Sequence, residues 1–263
     1  LLKLVRLRIS GDYLQTSAVV RNGHVLSAIN DPNDYLGPGT GYRVSEARRR
    51  EIVAIRDVLT REEVLRAETV HKAAESKRIL YRTMGPASAG NSPREVVIGI
   101  SPAFGLKLFQ AVAGHPLSAI LLELIGGITE AGASARVVRM KHTADTSFLG
   151  LGAARLAGSG VGIGIQAKGT AVIHQKDRLP HNNLELFSNS PITRLEHYRR
   201  MGANAAAYAL GEMPEPVVVP IRGEAMGSRY HARVALIYAI ETELTAEGAV
   251  PEEVKVIFLG EAA

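Results

Sequence analysis

Residues 161–187, VGIGIQAKGTAVIHQKDRLPHNNLELF, constrain the fold more than any other stretch of the chain. Two short apolar segments flank a turn that carries Lys168, Gly169 and Thr170. A polar Pro/Asn segment follows and leads into a further apolar run. The pattern predicts strand, turn, strand and polar loop. The turn sets an ammonium, a hydroxyl and flexible backbone beside buried sheet. That edge suits a large polar ligand better than it suits simple core packing.

The segments around this run predict an α/β layer fold. Strands are expected at Val96–Ile100, Ala135–Met140, Val161–Gln166 and Thr170–His174, and helices at His115–Ala131, Thr146–Leu156 and Ile192–Leu210. Val217–Ile221, Val234–Ile240 and Val254–Leu259 read as further strands. Strand–helix alternation argues for a mostly parallel central sheet. No internal repeat is present.

The first part of the chain has a different pattern. Leu1–Asn30 alternates like strands, and Arg21-Asn22-Gly23 is a hairpin signal between two of them. Asp31–Tyr42 is dense in turn formers, and Ser45 is placed to cap a helix running to about Val58. Thr60–Lys77 predicts a charged helix with a narrow apolar stripe, read as a solvated connector. Met84–Pro93, rich in small residues and Pro, reads as a linker. The divisions are therefore 1–61, 62–93 and 94–263.

With 46% hydrophobic residues the chain can bury a real core, which argues against wholesale disorder. Trp is absent and aromatics make up 5%, leaving few platforms for stacking bases. The net charge of +5 is scattered rather than striped, so nucleic acid is not the expected partner. Without Cys there are no disulfides, thiolate metal sites or Cys nucleophiles. No apolar stretch reaches the roughly 20 residues that span a bilayer. The chain opens at Leu1 rather than Met, and the expectation is a piece of a longer polypeptide.

Few short motifs point to chemistry. Gly158-Ser159-Gly160-Val161-Gly162-Ile163-Gly164 misses the dinucleotide spacing and runs into a strand. It reads instead as a tight turn and a strand whose glycines admit close backbone approach. No GxxxxGK[ST] phosphate loop, HExxH pair or GxSxG elbow occurs, and the histidines show no metal spacing. His174 and His181 read as a polar strand end and a surface residue. Asp145 follows a strand and precedes a helix, so it stands where open α/β sheets place ligands. It also reads as that helix's N-cap, and one carboxylate serves both roles. Lys168 in its turn is a ligand contact or an exposed turn lysine.

The stretches VVIGISPAFG (96–105), ARVVRMKHTADTSF (135–148), RLAGSGVGIGIQAKGTAVIHQ (155–175) and NNLELFSNSPITRLEHYRRMGANAAAYA (182–209) together resemble one family. It is the medium subunit of the adenosylcobalamin-dependent diol and glycerol dehydratases. Residues 12–52, DYLQTSAVVRNGHVLSAINDPNDYLGPGTGYRVSEARRREI, resemble the carboxyl-terminal tail of the large subunit of the same enzymes. The resemblance implies a fused large–medium polypeptide with a Rossmann-like medium-subunit domain. It implies that this domain covers the lower face of adenosylcobalamin, while the barrel of the large subunit holds substrate and a monovalent or divalent cation. By motif, Asp145 (TADTSF), Lys168 and Thr170 (QAKGT) and Asn183 (NNLELF) would contact the corrin amides or the nucleotide loop. No DxHxxG motif occurs, so cobalt would keep its own benzimidazole base. Near 225–233 the family pattern does not align, and Ser228 or Arg229 stand as substitutes there.

The activity implied is radical dehydration of 1,2-diols or glycerol to aldehydes. The implied partners are large and small dehydratase subunits in a dimer of heterotrimers, and a reactivase, with neither nucleic acid nor membrane. The implied location is the cytoplasm, with enclosure in a bacterial microcompartment left open. The rival reading is the small subunit of the dehydratase-reactivating chaperone. The 12–52 tail and the QAKGT and NNLELF segments weigh against it.

Overall fold

In the computed structural model the described residues are 3–6, 17–21, 24–28, 61–188, 192–219 and 228–259. The first three segments and 228–232 are described by backbone alone. The chain divides into two compact units, Leu1–Arg66 with Glu224–Leu236, and Ala67–Gly223 with Ile237–Ala263.

The first unit carries a three-stranded antiparallel sheet of β1 (Lys3–Arg6), β2 (Ser17–Arg21) and β3 (His24–Ala28). Arg21 pairs with His24, so a two-residue connection joins β2 to β3 as the Asn-Gly signal requires. The turn-rich run 31–42 and the helix expected after Ser45 lie outside the described residues.

The second unit is built on a seven-stranded sheet. Its strands are β4 (Ile79–Pro86), β5 (Glu95–Ile100), β6 (Ser134–Arg139), β7 (Val161–Ile165), β8 (Ala171–Gln175), β9 (Glu185–Phe187) and β10 (Glu252–Phe258). Their order across the sheet is β4-β10-β6-β5-β7-β8-β9. The sheet is mixed, which corrects the expectation of a mostly parallel one. Only β6–β5 and β5–β7 are parallel, and the other pairings are antiparallel. Parallel neighbours need a crossover helix. Two are supplied here: α2 (Leu117–Glu130) between β5 and β6, and α3 (Thr146–Leu156) between β6 and β7. After β7 the short turn at 166–170 reverses the chain directly, so β8 enters antiparallel.

The centre of the sheet is dry. Val96, Val97, Ile98 and Ile100 of β5 are all 0% exposed, as expected of a strand covered on both faces. Val97 packs with Val138, Leu149 and Ala153 under α3. The crossovers leave β5 and β6 in opposite directions across the sheet, so right-handedness places α2 and α3 on opposite faces. Helix α4 (Leu195–Ala209) packs against α2, and its Gly202 lies so close to Leu124 O that a Cβ would collide with that oxygen. Helix α3 approaches β7 in the same way. A Cβ on Gly164 would overlap the Gly150 nitrogen and lie 2.6 Å from Thr146 O. The glycine-spaced strand is thus a packing device, as its sequence suggested.

Three readings need correction. The segment taken as a linker from Met84 onwards begins inside strand β4, whose Pro86 still pairs with Glu252. β4 is an edge strand, where a missing N–H is tolerated, and a bulge at Glu253/Val254 opposes Gly85, which has φ 116°. Val234–Ile240 lies inside helix α5 (Ser228–Glu243) rather than in a strand. Periodicity cannot separate a short apolar run in a helix from one in a strand. Of the strand expected at Val217–Ile221, residues 217–219 form none, the Val217 N–H going to the Glu185 carboxylate at 2.8 Å, and 220–221 lie outside the described residues.

The charged helix α1 (Arg61–Glu75) is present, with Glu62 and Glu63 exposed at its start, but its later acids are not solvated. Glu68 and Glu75 are 2% and 3% exposed. Glu75 accepts from the N–H of Ser118 at 2.9 Å and from its hydroxyl at 2.8 Å. Helix α2 has no side-chain cap of its own after Pro116, so Glu75 supplies one from another helix. Glu68 accepts from the Phe109 N–H at 2.5 Å.

Glu75→Ala strips the partner from a buried N–H and hydroxyl and is expected to cost about 2–3 kcal/mol. Gly164→Ala forces helix α3 off strand β7 and is expected to cost about 1–3 kcal/mol. Denaturant titration checks both, and a midpoint equal to that of the parent protein would contradict the packing described.

Candidate functional site

The parallel strands β5 and β7 end at one edge of the sheet, in Ile100-Ser101 and Ile165-Gln166. The turn at 166–170 is held from every side. Gln166 N donates to Thr170 O at 3.0 Å and Gly169 N to Gln166 O at 2.9 Å. Val112 N donates to Lys168 O at 3.1 Å, and the buried Tyr198 hydroxyl donates to Gly169 O at 2.7 Å. Gly169 takes φ 99°, which a residue with a Cβ rarely adopts. Little freedom is left for the turn, so the Lys168 side chain leaves a fixed point.

Under the turn lies a carboxylate that the sequence reading did not single out. Glu241 of α5 is 1% exposed, and one of its oxygens accepts from the Ser101 hydroxyl and from Ala167 N, the latter at 2.8 Å. Ala167 N also reaches the Ser101 hydroxyl at 3.1 Å. Burial pushes the Glu241 carboxyl up from 4.5 to about 7, against the opposing pull of Ser101, Ala167 N, Lys168 and Arg139. Burial likewise lowers the Lys168 ammonium, and Glu241 and Asp145 act in the other direction. Tyr238, on the same helix as Glu241, is pushed up by burial and by the charges of Asp145 and Glu241. Asp145, Lys168, Tyr238 and Glu241 therefore form one electrostatic group.

Asp145 is the N-cap of α3: its Oδ1 accepts from Ser147 N at 2.9 Å and Phe148 N at 3.2 Å. Gln166 ties β7 to the same segment through its amide, which donates to Ala144 O at 2.5 Å. Arg139, at the end of β6, donates to the carbonyls of Ser101, Pro102 and Phe104 at 3.2, 3.1 and 2.6 Å. Burial brings its guanidinium down to about 10.

Several buried polar atoms here lack a hydrogen-bond partner among the described residues. They include Glu241 Oε2, Gln166 Oε1 and Asn183 Oδ1. Such atoms in a native fold call for an explanation, and a ligand is one. Thr170 is 6% exposed and starts the chain back into β8. Asn183 stands elsewhere. Ala171 pairs with Phe187 and Ile173 with Glu185, so Asn183 lies at the end of the β8–β9 pair away from the turn. At the ordinary strand rise, four residues separate the two ends by roughly 13 Å. The structure thus gathers Asp145, Lys168 and Thr170 at one edge and leaves Asn183 at the other.

His174 stands at the end of strand β8 as expected and is buried there: it is 0% exposed, with ring nitrogens 2.8 Å from Gln175 O and 3.1 Å from Pro180 O. His181 is exposed and meets Phe148 edge-on. The side chains of Ser228 and Arg229 lie outside the described residues. Among the described residues there is no group of three or more His, Cys, Asp or Glu placed to hold a metal ion, and no helix is long and apolar enough to cross a membrane. One signal for Glu241 was available, namely an acid beside Ile237 and Ile240 on the buried face of α5. Reading 234–240 as a strand concealed it.

Comparison with known proteins places two classes of sequence in this chain. The family model described as dehydratase medium subunit matches residues 101–215, and that described as dehydratase large subunit matches residues 1–63. Segments similar to the large-subunit and medium-subunit families of dehydratases thus follow one another on one chain. The glycerol dehydratase large subunit of Citrobacter freundii is 55% identical over 60 residues, which are 22% of this chain and 11% of that relative. The chain therefore spans only a small part of that relative's length. Among solved structures, a glycerol dehydratase reactivase is 22% identical over 44% of this chain and 92% of its own, with a TM-score of 0.37. A diol dehydratase-reactivating factor complexed with ADP and Mg2+ is 21% identical over 47% of this chain and 96% of its own, with a TM-score of 0.34. At those scores neither likeness bears on the site.

A carboxyl raised by folding binds protons that the unfolded chain has released, so its stabilising contribution is full below the unfolded value and is lost as pH rises through the folded one. For Glu241 that window runs from about pH 4.5 to 7. Glu241→Gln removes this loss. Its stability relative to the parent should climb across the window, by an amount on the order of 3 kcal/mol, and then level off. Thermal melts of both proteins from pH 4 to 8 test this, and parallel curves would mean that Glu241 is not buried as an acid.

Proposed function

We propose that this chain is the cofactor-holding part of an adenosylcobalamin-dependent diol or glycerol dehydratase. The observation that carries the reading is the presence, in order on one chain, of segments from the large-subunit and medium-subunit families of one kind of enzyme. On this reading residues 1–61 are the tail of the large subunit, 62–93 the connector and 94–263 the medium-subunit domain. The reactivase small subunit has no such large-subunit segment to account for.

The residues present suit the cofactor. The periphery of a corrin offers amide donors and acceptors and one phosphate. Gln166 Oε1 and Asn183 Oδ1 are buried acceptors without a partner among the described residues, and an amide N–H answers them. Lys168 and Thr170 supply donors, and Asp145 a carboxylate, at the opposite edge from Asn183. A ligand touching both edges must span roughly 13 Å, which requires a large one. The DxHxxG motif is absent, in keeping with base-on binding.

The chemistry that adenosylcobalamin supplies when bound is homolytic formation of an organic radical, through which a 1,2-diol or glycerol becomes an aldehyde and water. The share of this chain is to bind, orient and shield. The rigid turn presents the Lys168 ammonium without reorganisation, and Asp145 is fixed by its role as N-cap. The dry β5–β7 centre closes the site from behind. Substrate and a monovalent or divalent cation belong to the barrel of the large subunit. The assembly is a dimer of large, medium and small subunits, in the cytoplasm, serviced by a reactivase.

Lys168→Ala in the complete enzyme, co-expressed with its small subunit, should weaken cobalamin binding by about tenfold to a hundredfold. Substrate affinity at saturating cofactor should not change. Absorbance titration with cobalamin measures the first and steady-state kinetics the second. An enzyme that retains no cobalamin at all would sink the functional reading, whereas unchanged affinity in the variant would remove only Lys168 from the site.

A further inference from the structure

We propose that Glu241 is a positioning residue that competes with the bound ligand for the Lys168 ammonium, and so sets how strongly this turn attracts an anionic group. The proposal rests on the cobalamin-site reading above and adds a control that the reading does not require.

Geometry comes first. Glu241 is anchored at the base of the turn through Ala167 N and the Ser101 hydroxyl, one residue from Lys168. Its second oxygen is buried and has no hydrogen-bond partner among the described residues. A structural acid would be expected to have both oxygens satisfied, as Glu75 does. The charged and titratable groups around it are few. Lys168 comes from the turn, Arg139 from the end of β6, and Tyr238 from the preceding turn of α5, with Asp145 facing Lys168 and Tyr238 from the N-cap of α3. Arg139 is committed to three backbone carbonyls. The balance at Lys168 therefore turns first on Glu241, with the capping Asp145 acting in the same direction.

With Glu241 ionised, the ammonium already has a buried counter-charge, and a phosphate gains less from it. With Glu241 protonated, the ammonium is left to the ligand. Burial places this exchange near neutrality. Affinity for a ligand with a phosphate should then be higher below the exchange and fall as pH rises through it.

The test uses the complete enzyme with its partner subunits and cyanocobalamin as probe, whose axial ligand does not titrate in the range. The dissociation constant is measured at intervals from pH 6 to 8.5 for the parent, Glu241→Gln and Lys168→Ala. In the parent, binding should weaken by about threefold to tenfold as pH rises. Glu241→Gln should bind with the affinity that the parent shows at low pH and stay flat. A slope retained in Glu241→Gln, or weak binding at every pH, overturns the proposal. Lys168 itself, whose ammonium burial shifts down, remains in that variant and would account for such a slope. Should Glu241→Gln not fold, Ser101→Ala is read instead. It removes a hydrogen bond that favours the ionised acid, so the midpoint of the profile should move to higher pH, and an unmoved midpoint overturns the proposal. Unchanged affinity in Lys168→Ala removes Lys168 from the site and overturns this proposal, whereas a parent enzyme that retains no cobalamin sinks the functional reading itself. Weakened Lys168→Ala with a sloping Glu241→Gln overturns this proposal alone.

Discussion

The contact on which the rest depends is the approach of helix α3 to strand β7 through facing glycines. Gly164 lies against the Gly150 nitrogen and Gly162 against the Ala154 nitrogen, at separations that leave no room for a Cβ. Asp145 is the residue that caps α3, and Gln166 is the residue that follows β7. Their separation is therefore set by how deeply the helix sits on the strand. The bond from the Gln166 amide to Ala144 O closes the same junction from the side. A larger residue at 162 or 164 would widen it and part Asp145 from Lys168. The glycine run that resembles a nucleotide loop thus acts by packing, and its effect on the site is indirect but strict.

Electrostatics at this edge works against stability. Glu241 and Arg139 are buried, and each has a polar atom without a hydrogen-bond partner among the described residues. Burying charge costs free energy unless partners compensate, and here compensation is partial. Arg139 compensates through the three carbonyls that follow β5, which also fixes the path of 101–104. Glu241 compensates through Ser101 and Ala167 N on one oxygen only. Groups shifted by burial and by one another are concentrated where ligand chemistry is expected. The core elsewhere is apolar and well matched, which offsets the cost.

How much of this was legible depended on whether local pattern or long-range pairing decided each element. The β2–β3 hairpin, helices α2, α3 and α4 and the β7–β8 turn follow from residues adjacent in sequence, and they appear where expected. The N-cap reading of Asp145 was local too. Strand β4 was not legible, because its Gly85 and Pro86 signal a break and only the partner β10 makes them a strand edge. Strand direction was not legible either, since the antiparallel entry of β10 between β4 and β6 is a choice made by residues far apart in the chain. Glu241 was hidden by both problems. Its helix was taken for a strand, and its partners Ser101 and Ala167 are 140 and 74 residues away. The site residues drawn from family resemblance were placed by motif, and motif says nothing about which edge of the sheet holds Asn183.

The connector helix α1 bears on the site through a short chain of contacts. Glu68 holds Phe109 N, and Glu75 holds the N–H and hydroxyl of Ser118, so the segment between them is pinned at both ends. Val112, within that segment, donates to Lys168 O. The backbone that presents the Lys168 ammonium is thus braced by a segment that the connector itself clamps. Each link is an ordinary hydrogen bond, worth little alone, but those made by Glu68 and Glu75 are buried and so costly to leave unmade. A helix read as a solvated spacer is in fact part of the scaffold that pre-organises the turn. Glu68 and Glu75 are buried for that reason, and the helix's charged pattern in the sequence conceals a structural role of the same kind that the glycines play on the other side of the site.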